Sequence, residues 1–277
     1  MTILLFATIA TYGIALFALI ARVVYSERGG LPSSSALYLR YISLVAGGVA
    51  VVLHGFLLSS QLLIQDEASG EIGLYLTLLP VLSLTAWVMN LVIVTSAWWK
   101  SVENLGLMSF PFALLAIVAF AGLESPAQLT MVESGVRYHI LISILSYSVL
   151  GIAALQAVLL AIEDYQLRHR KLSGFIRLLP PLETMEQLLF QLIAVGYILL
   201  SLSLLSGATY VEDLFAQHLV HKSVLSVVSW VVFALLLWGR MSRGWRGRTA
   251  IRWTLSGFGV LMVAYLGSKF VLERLLS

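Results

Sequence analysis

The chain contains no cysteine, and only 11% of its 277 residues are charged. Without thiols there are no thiolate metal sites, no thioether-attached cofactor and no disulfide chemistry. A soluble domain carries about 25% charged residues, so a chain this poor in charge and 60% hydrophobic reads as an integral membrane protein. Catalytic signatures are absent too. No glycine-rich phosphate loop, no HExxH, no carboxylate dyad and no nucleophile beside a base stands out, so we expect no enzyme. The net charge of +3 does not point to nucleic acid. In such a chain Lys and Arg report orientation in the bilayer.

What is present is long apolar runs, which favour helices over a barrel. Eight predicted spans lie at about residues 2–24, 36–60, 73–97, 106–123, 137–162, 184–206, 219–239 and 250–272. The first is too long and too weakly charged at its start for a cleaved signal peptide and reads as a retained span. If the N-terminus lies outside, 13 of the 17 Lys and Arg fall in inner loops, leaving Arg137, Lys222, Lys269 and Arg274 outside. The positive-inside rule therefore selects an all-α, polytopic membrane protein with both termini out. No linker or long loop interrupts the pattern, so residues 1–277 read as one membrane domain, with lipid as its surroundings.

Four of the five histidines gather at one predicted depth. His54 lies fourteen residues after Arg40, about 21 Å along a helix, which puts it in the outer third of the second span. His139 opens the fifth span from outside. His218 and His221 open the seventh, spaced i,i+3 on one face. His169 falls in the inner basic stretch RHRK and reads as solvated. An ionisable group in a bilayer is a functional candidate by default, and neutral imidazole is the usual protein ligand of haem iron and many other metals. For His139, His218 and His221, interfacial water offers an equally good explanation. His54 is harder to explain that way, because LVAGGVAVVLHGFLL gives it no polar neighbour in sequence.

Four passages resemble a known family. RYHILISILSYSVLGIAAL has a histidine at the outer end of a span followed by Ser-Tyr, and LLPPLETMEQLLFQLIAVGYILL has a PPLE entry into the next span. HKSVLSVVSWVVFALLLWGR and GWRGRTAIRWTLSGF follow with coherent spacing. Together they cover about residues 137–272 and are similar to the cytochrome c assembly family, haem-handling membrane proteins that include CcsA, CcmC and CcmF. The stretch EDLFAQHLVHK stands where that family carries its tryptophan-rich WWD motif, and it contains no tryptophan. The pattern resembles the YpjD or HemX-type branch, in which the fold persists without that motif.

The resemblance implies a non-covalent haem b near the outer face of a bacterial inner membrane, with other cytochrome assembly proteins as partners. His139 carries over as a haem-iron ligand, and we expect His54 as its partner, with His218 and His221 as further candidates. Arg137 and Lys222 are the expected propionate contacts. The rival expectation is an accessory protein or transporter for a metal ion or small solute, held by His218, His221, Glu212 and Asp213.

Two further constellations read as structure first. Glu183, Glu186, Gln187, Phe190 and Gln191 form one polar stripe at the start of the sixth span, suited to the positive helix end or to interhelical hydrogen bonds, or else to an entry path for a haem or quinone headgroup. The five arginines of GRMSRGWRGRTAIR suit an inner-face topology signal, or else propionates or anionic lipid.

Overall fold

A computed structural model describes residues 2–27, 33–65, 72–74, 78–122, 134–169, 178–210 and 217–267. They form eight α-helices: α1 (Thr2–Glu27), α2 (Ser33–Leu62), α3 (Leu78–Ser96), α4 (Gly106–Gly122), α5 (Ser134–Arg168), α6 (Leu182–Tyr210), α7 (Gln217–Arg243) and α8 (Arg248–Met262). Seven of them are long and apolar enough to cross a membrane. The eighth has 15 residues and runs on as a π-helical turn, Val263–Gly267. The polytopic helical architecture read from the apolar runs is therefore present. An antiparallel ladder of three residues a side, β1 (Leu63–Gln65) with β2 (Ile72–Leu74), lies between α2 and α3 and was not foreseen.

The chain divides into two compact units, Met1–Met131 with Tyr165–Pro181, and Val132–Asp164 with Leu182–Ser277. Because the chain enters the first unit twice, the division leaves no linker for composition to reveal.

Lipid tails are as apolar as leucine, so helices in a bilayer associate through close packing and polar bonds rather than through hydrophobic burial. The first unit shows both. Tyr12, Leu19, Val51, Phe110 and Ile117 fill its core. A Cβ on Gly47 would come within 3.2 Å of the Phe110 ring, so the bare backbone there is what admits the ring. Asn90 Nδ2 donates to the Ser109 carbonyl at 3.2 Å, and Ser109 Oγ donates back to Asn90 Oδ1 at 2.8 Å, tying α3 to α4. At the end expected to face inside, the α3–α4 connection folds in so that Glu103 is buried. Its Oε1 accepts from Arg22 at 3.0 Å and lies 3.3 Å from Arg40 Nε.

The helix α5, which belongs to the second unit as far as Asp164, has 35 residues, about 50 Å of helix, longer than the roughly 30 Å hydrocarbon layer. Leu150, Ile152, Leu160, Leu189, Ile193, Phe233, Leu236 and Leu261 are among the large, nearly inaccessible side chains of the second unit. Polar bonds stitch the helices together: Gln156 Nε2 to the Met185 carbonyl at 3.1 Å, Ser229 Oγ to the Gly257 carbonyl at 2.9 Å, and Trp230 Nε1 to Ser201 Oγ at 2.8 Å.

The turn from α7 to α8 is held by Glu186. Its Oε1 accepts from Arg240 at 2.6 Å and its Oε2 accepts from the Gly247 backbone N–H at 3.0 Å. Gly244 and Gly247 have φ of +66° and +52°, the left-handed region that side-chain-bearing residues avoid. The polar stripe on α6 thus serves at least at Glu186 and Phe190, the latter lying 4.5 Å beneath the Arg240 guanidinium, as a structural corner. Arg248 pairs with Asp164 at 3.0 Å.

Candidate functional site

The second unit positions His139 with three serines and a glycine. His139 sits in the second turn of α5, half-buried, facing α6. Its Nδ1 lies 3.0 Å from the Ser203 carbonyl and 3.1 Å from Ser206 Oγ. A carbonyl only accepts, so Nδ1 must carry the proton. Ser206 spends its one hydroxyl hydrogen on the same Ser203 carbonyl at 2.9 Å, so its oxygen accepts from Nδ1 as well. The tautomer is thereby fixed, and Nε2 keeps its lone pair. No described residue donates a hydrogen bond to it.

The ring also needs room. A Cβ on Gly207 would stand 3.0 Å from His139 Cε1 and 3.4 Å from Nδ1, so the ring lies over the bare backbone of α6. Ser143, one turn on from His139, donates to the His139 carbonyl at 2.7 Å and meets Ser203 Oγ at 2.7 Å. Ser203, Ser206 and Gly207, at i, i+3 and i+4 of α6, went unnoticed in the sequence. Their spacing on one helix face was the available signal.

Lys222 lies in the first turns of α7, within electrostatic range of His139. Its ammonium stands 5.3 Å from the centre of the Tyr265 ring, and no described carboxylate pairs with it. Tyr265 belongs to the π-helical turn and packs against Tyr147 at 5.6 Å between ring centres. Such turns occur often at functional sites. Arg137, two residues before His139, is half-buried and already holds an interaction.

His54 belongs to the first unit and is in a different situation. It is fully buried, its Nδ1 lies 3.2 Å from Tyr12 Oη, and its Nε2 lies 3.0 Å from Ser83 Oγ. The polar neighbours missing from its own segment come from α1 and α3. Both ring nitrogens are occupied, so in this arrangement His54 offers no lone pair to a metal. His218 and His221 fall within α7, but their side chains lie outside the described residues, as do Glu212 and Asp213. His169 donates from Nδ1 to the Tyr165 carbonyl at 2.7 Å and is exposed, as expected of a solvated residue. Among the described residues no three His, Asp or Glu gather as a metal-binding group.

Comparison with known proteins decides the family. The family model for cytochrome C assembly protein matches residues 75–276, which is most of the chain. The chain belongs to the cytochrome c assembly family.

Within that family, the inner membrane protein YpjD of Escherichia coli (strain K12) is 35% identical over 271 residues, covering 94% of this chain and 99% of its own. The cytochrome c biogenesis protein CcsA of Synechococcus sp. (strain CC9902) is 25% identical over 247 residues, covering 78% and 81%. CcsA of Chlamydomonas reinhardtii is 26% identical over 263 residues, covering 90% and 72%. No solved structure matches the chain. The family match reaches upstream of residue 137, where the quoted motifs began, and takes in α3 and α4 as well.

Haem is the group that the family resemblance implies. The residues of the second unit fit it: an imidazole held by Nδ1 with Nε2 available, and an ammonium that no described carboxylate pairs with. That is the usual arrangement for a ligating histidine, whose second nitrogen donates to a carbonyl or carboxylate. His54, bonded through both nitrogens, fits only after giving up Tyr12 or Ser83.

Proposed function

We propose that this protein is a haem-handling, multi-pass protein of the bacterial inner membrane that serves cytochrome c biogenesis by holding haem rather than by making bonds. The location follows the printed description of YpjD, and the process follows that of CcsA. The carrying observation is the His139 ring, fixed through Nδ1 by the Ser203 carbonyl with its Nε2 lone pair left over. His139 would ligate the iron of a non-covalent b-type haem. Lys222 and Arg137 would face the propionates, since charge-assisted bonds to carboxylates are the strong ones. Bound haem would supply a redox-active iron and two carboxylates; the chain supplies orientation, a neutral ligand and a cation.

For the second axial position, His218 and His221 lie on the helix that carries Lys222, whereas His54 would have to exchange a hydrogen bond for the metal. Lipid and other assembly proteins are the partners this reading implies. The test is the visible spectrum of the purified full-length protein, oxidised and dithionite-reduced, after expression with ample haem. The expected result is a Soret band with sharp reduced α and β bands, lost in His139→Ala. A colourless wild-type protein would overturn the reading.

A further inference from the structure

The geometry points to Ser206 and Gly207 of α6 as positioning residues that set the tautomer, orientation and donor strength of His139 as a haem-iron ligand. This inference rests on the haem reading above, and its novelty lies in what α6 contributes without touching the iron. Three observations carry it.

The first is the direction of each hydrogen bond. Ser206 Oγ donates to the Ser203 carbonyl at 2.9 Å, so only its lone pairs remain for His139 Nδ1–H at 3.1 Å. The carbonyl itself accepts from Nδ1–H at 3.0 Å. A single N–H is therefore shared between two neutral acceptors, and the proton cannot move to Nε2 without leaving the Ser203 carbonyl facing a lone pair.

The second is shape. Any side chain at position 207 would press on the ring at Cε1, between its two nitrogens, with 3.0 Å of clearance where ordinary contacts begin near 3.4 Å. Alanine there would push the ring, and Nε2 with it, by a few tenths of an ångström. The same substitution is favourable to a helix, by about 1 kcal/mol in propensity. A stabilised helix with a worse ligand is an outcome that a merely structural role for Gly207 does not produce.

The third is the chemistry of the acceptors. A carboxylate partner on Nδ1 would make the imidazole strongly basic and bind ferric iron tightly. Here the partners are an uncharged hydroxyl and a carbonyl. The ligand is therefore of moderate strength, suited to haem that must later leave, and Ser206 is the position where the donor strength can be changed.

The experiment uses the full-length protein in detergent or nanodiscs. In the haem-free state, nitrogen-15 spectra of histidine-labelled wild type, with the His139 signals assigned by loss in His139→Ala, should show Nδ1 protonated and Nε2 bare. With haem, Gly207→Ala should release it about tenfold faster while its thermal midpoint stays level or rises. Ser206→Asp should shift the ferric-to-ferrous affinity ratio about tenfold toward ferric, a midpoint about 59 mV lower for one electron. Ser206→Thr, which keeps the hydroxyl, should restore the wild-type midpoint.

A proton on Nε2 in the wild type would overturn the inference. So would unchanged haem release in Gly207→Ala together with an unchanged midpoint in Ser206→Asp, while His139→Ala still abolishes the haem bands. Absence of haem from wild type and His139→Ala alike would overturn the haem reading as well, so the two failures are told apart.

Discussion

Each of the two units holds one span histidine whose side chain is described, and they treat it in opposite ways. In the first, His54 is enclosed completely and both nitrogens are bonded, to Tyr12 on α1 and Ser83 on α3. In the second, His139 is half-buried and, among the described residues, only Nδ1 is bonded, to α6. In a medium that cannot hydrate an imidazole, bonding both nitrogens makes the residue a cross-link between helices. Bonding one of them leaves a directed lone pair. The difference teaches that what sets two such histidines apart is the number of partners around the ring: one ring is closed by its neighbours, and the other keeps a nitrogen that no described residue bonds.

The comparison extends to the carboxylates that close one end of each unit, and there it should break most visibly. Glu103 has 5% side-chain exposure and faces two arginines, whereas Glu186 has 15% and faces partners up to 67% exposed. Removing one partner of a buried pair costs roughly 3–5 kcal/mol, because the other charge is left without compensation. We expect Glu103→Ala to lose about 4 kcal/mol in chemical denaturation of the reconstituted protein and Glu186→Ala about half of that. Equal losses would show that the two ends are equally enclosed.

The histidines come next in size. His54→Ala should cost about 3 kcal/mol, from the cavity and from two orphaned hydroxyls, with haem bands retained. His139→Ala should cost about 1 kcal/mol and lose the bands. Thermal unfolding and the reduced spectrum of both variants, measured side by side, decide it. Loss of haem from His54→Ala at unchanged stability would reverse the assignment.

The smallest expected effect sharpens the contrast. Ser83→Ala removes one hydrogen bond from His54 and should cost about 1 kcal/mol. It also bares Nε2 of a ring that Tyr12 still holds. Exogenous haem titrated into Ser83→Ala should gain no second binding step, because that nitrogen faces a closed core.

Much of the fold was legible because its rules are local. Runs of twenty apolar residues announce spans wherever they pack, and Arg and Lys mark the loops between them. Residues such as His139 and Lys222 were legible as candidates for the same reason, since an ionisable group in an apolar run is conspicuous. What could not be read was pairing. Tyr12 and Ser83 look like ordinary span residues, and only the packing of α1, α2 and α3 brings them to His54. Ser206 and Gly207 likewise gain meaning only from the ring that rests on them. The division into two units was hidden because the chain returns to the first after leaving it, crossing three times, once within the helix α5.

That return has a consequence for the order of synthesis. Asn104 is buried, and its amide donates to the carbonyl of Leu178 at 3.0 Å, 74 residues downstream. At about 5–20 residues per second, the Asn104 amide waits roughly 4–15 s before the segment that satisfies it has been made. Within that interval both α4 and α5 are made. The N-terminal half is therefore inserted long before it is finished, and its last polar bond is supplied by chain that has already been through the other half.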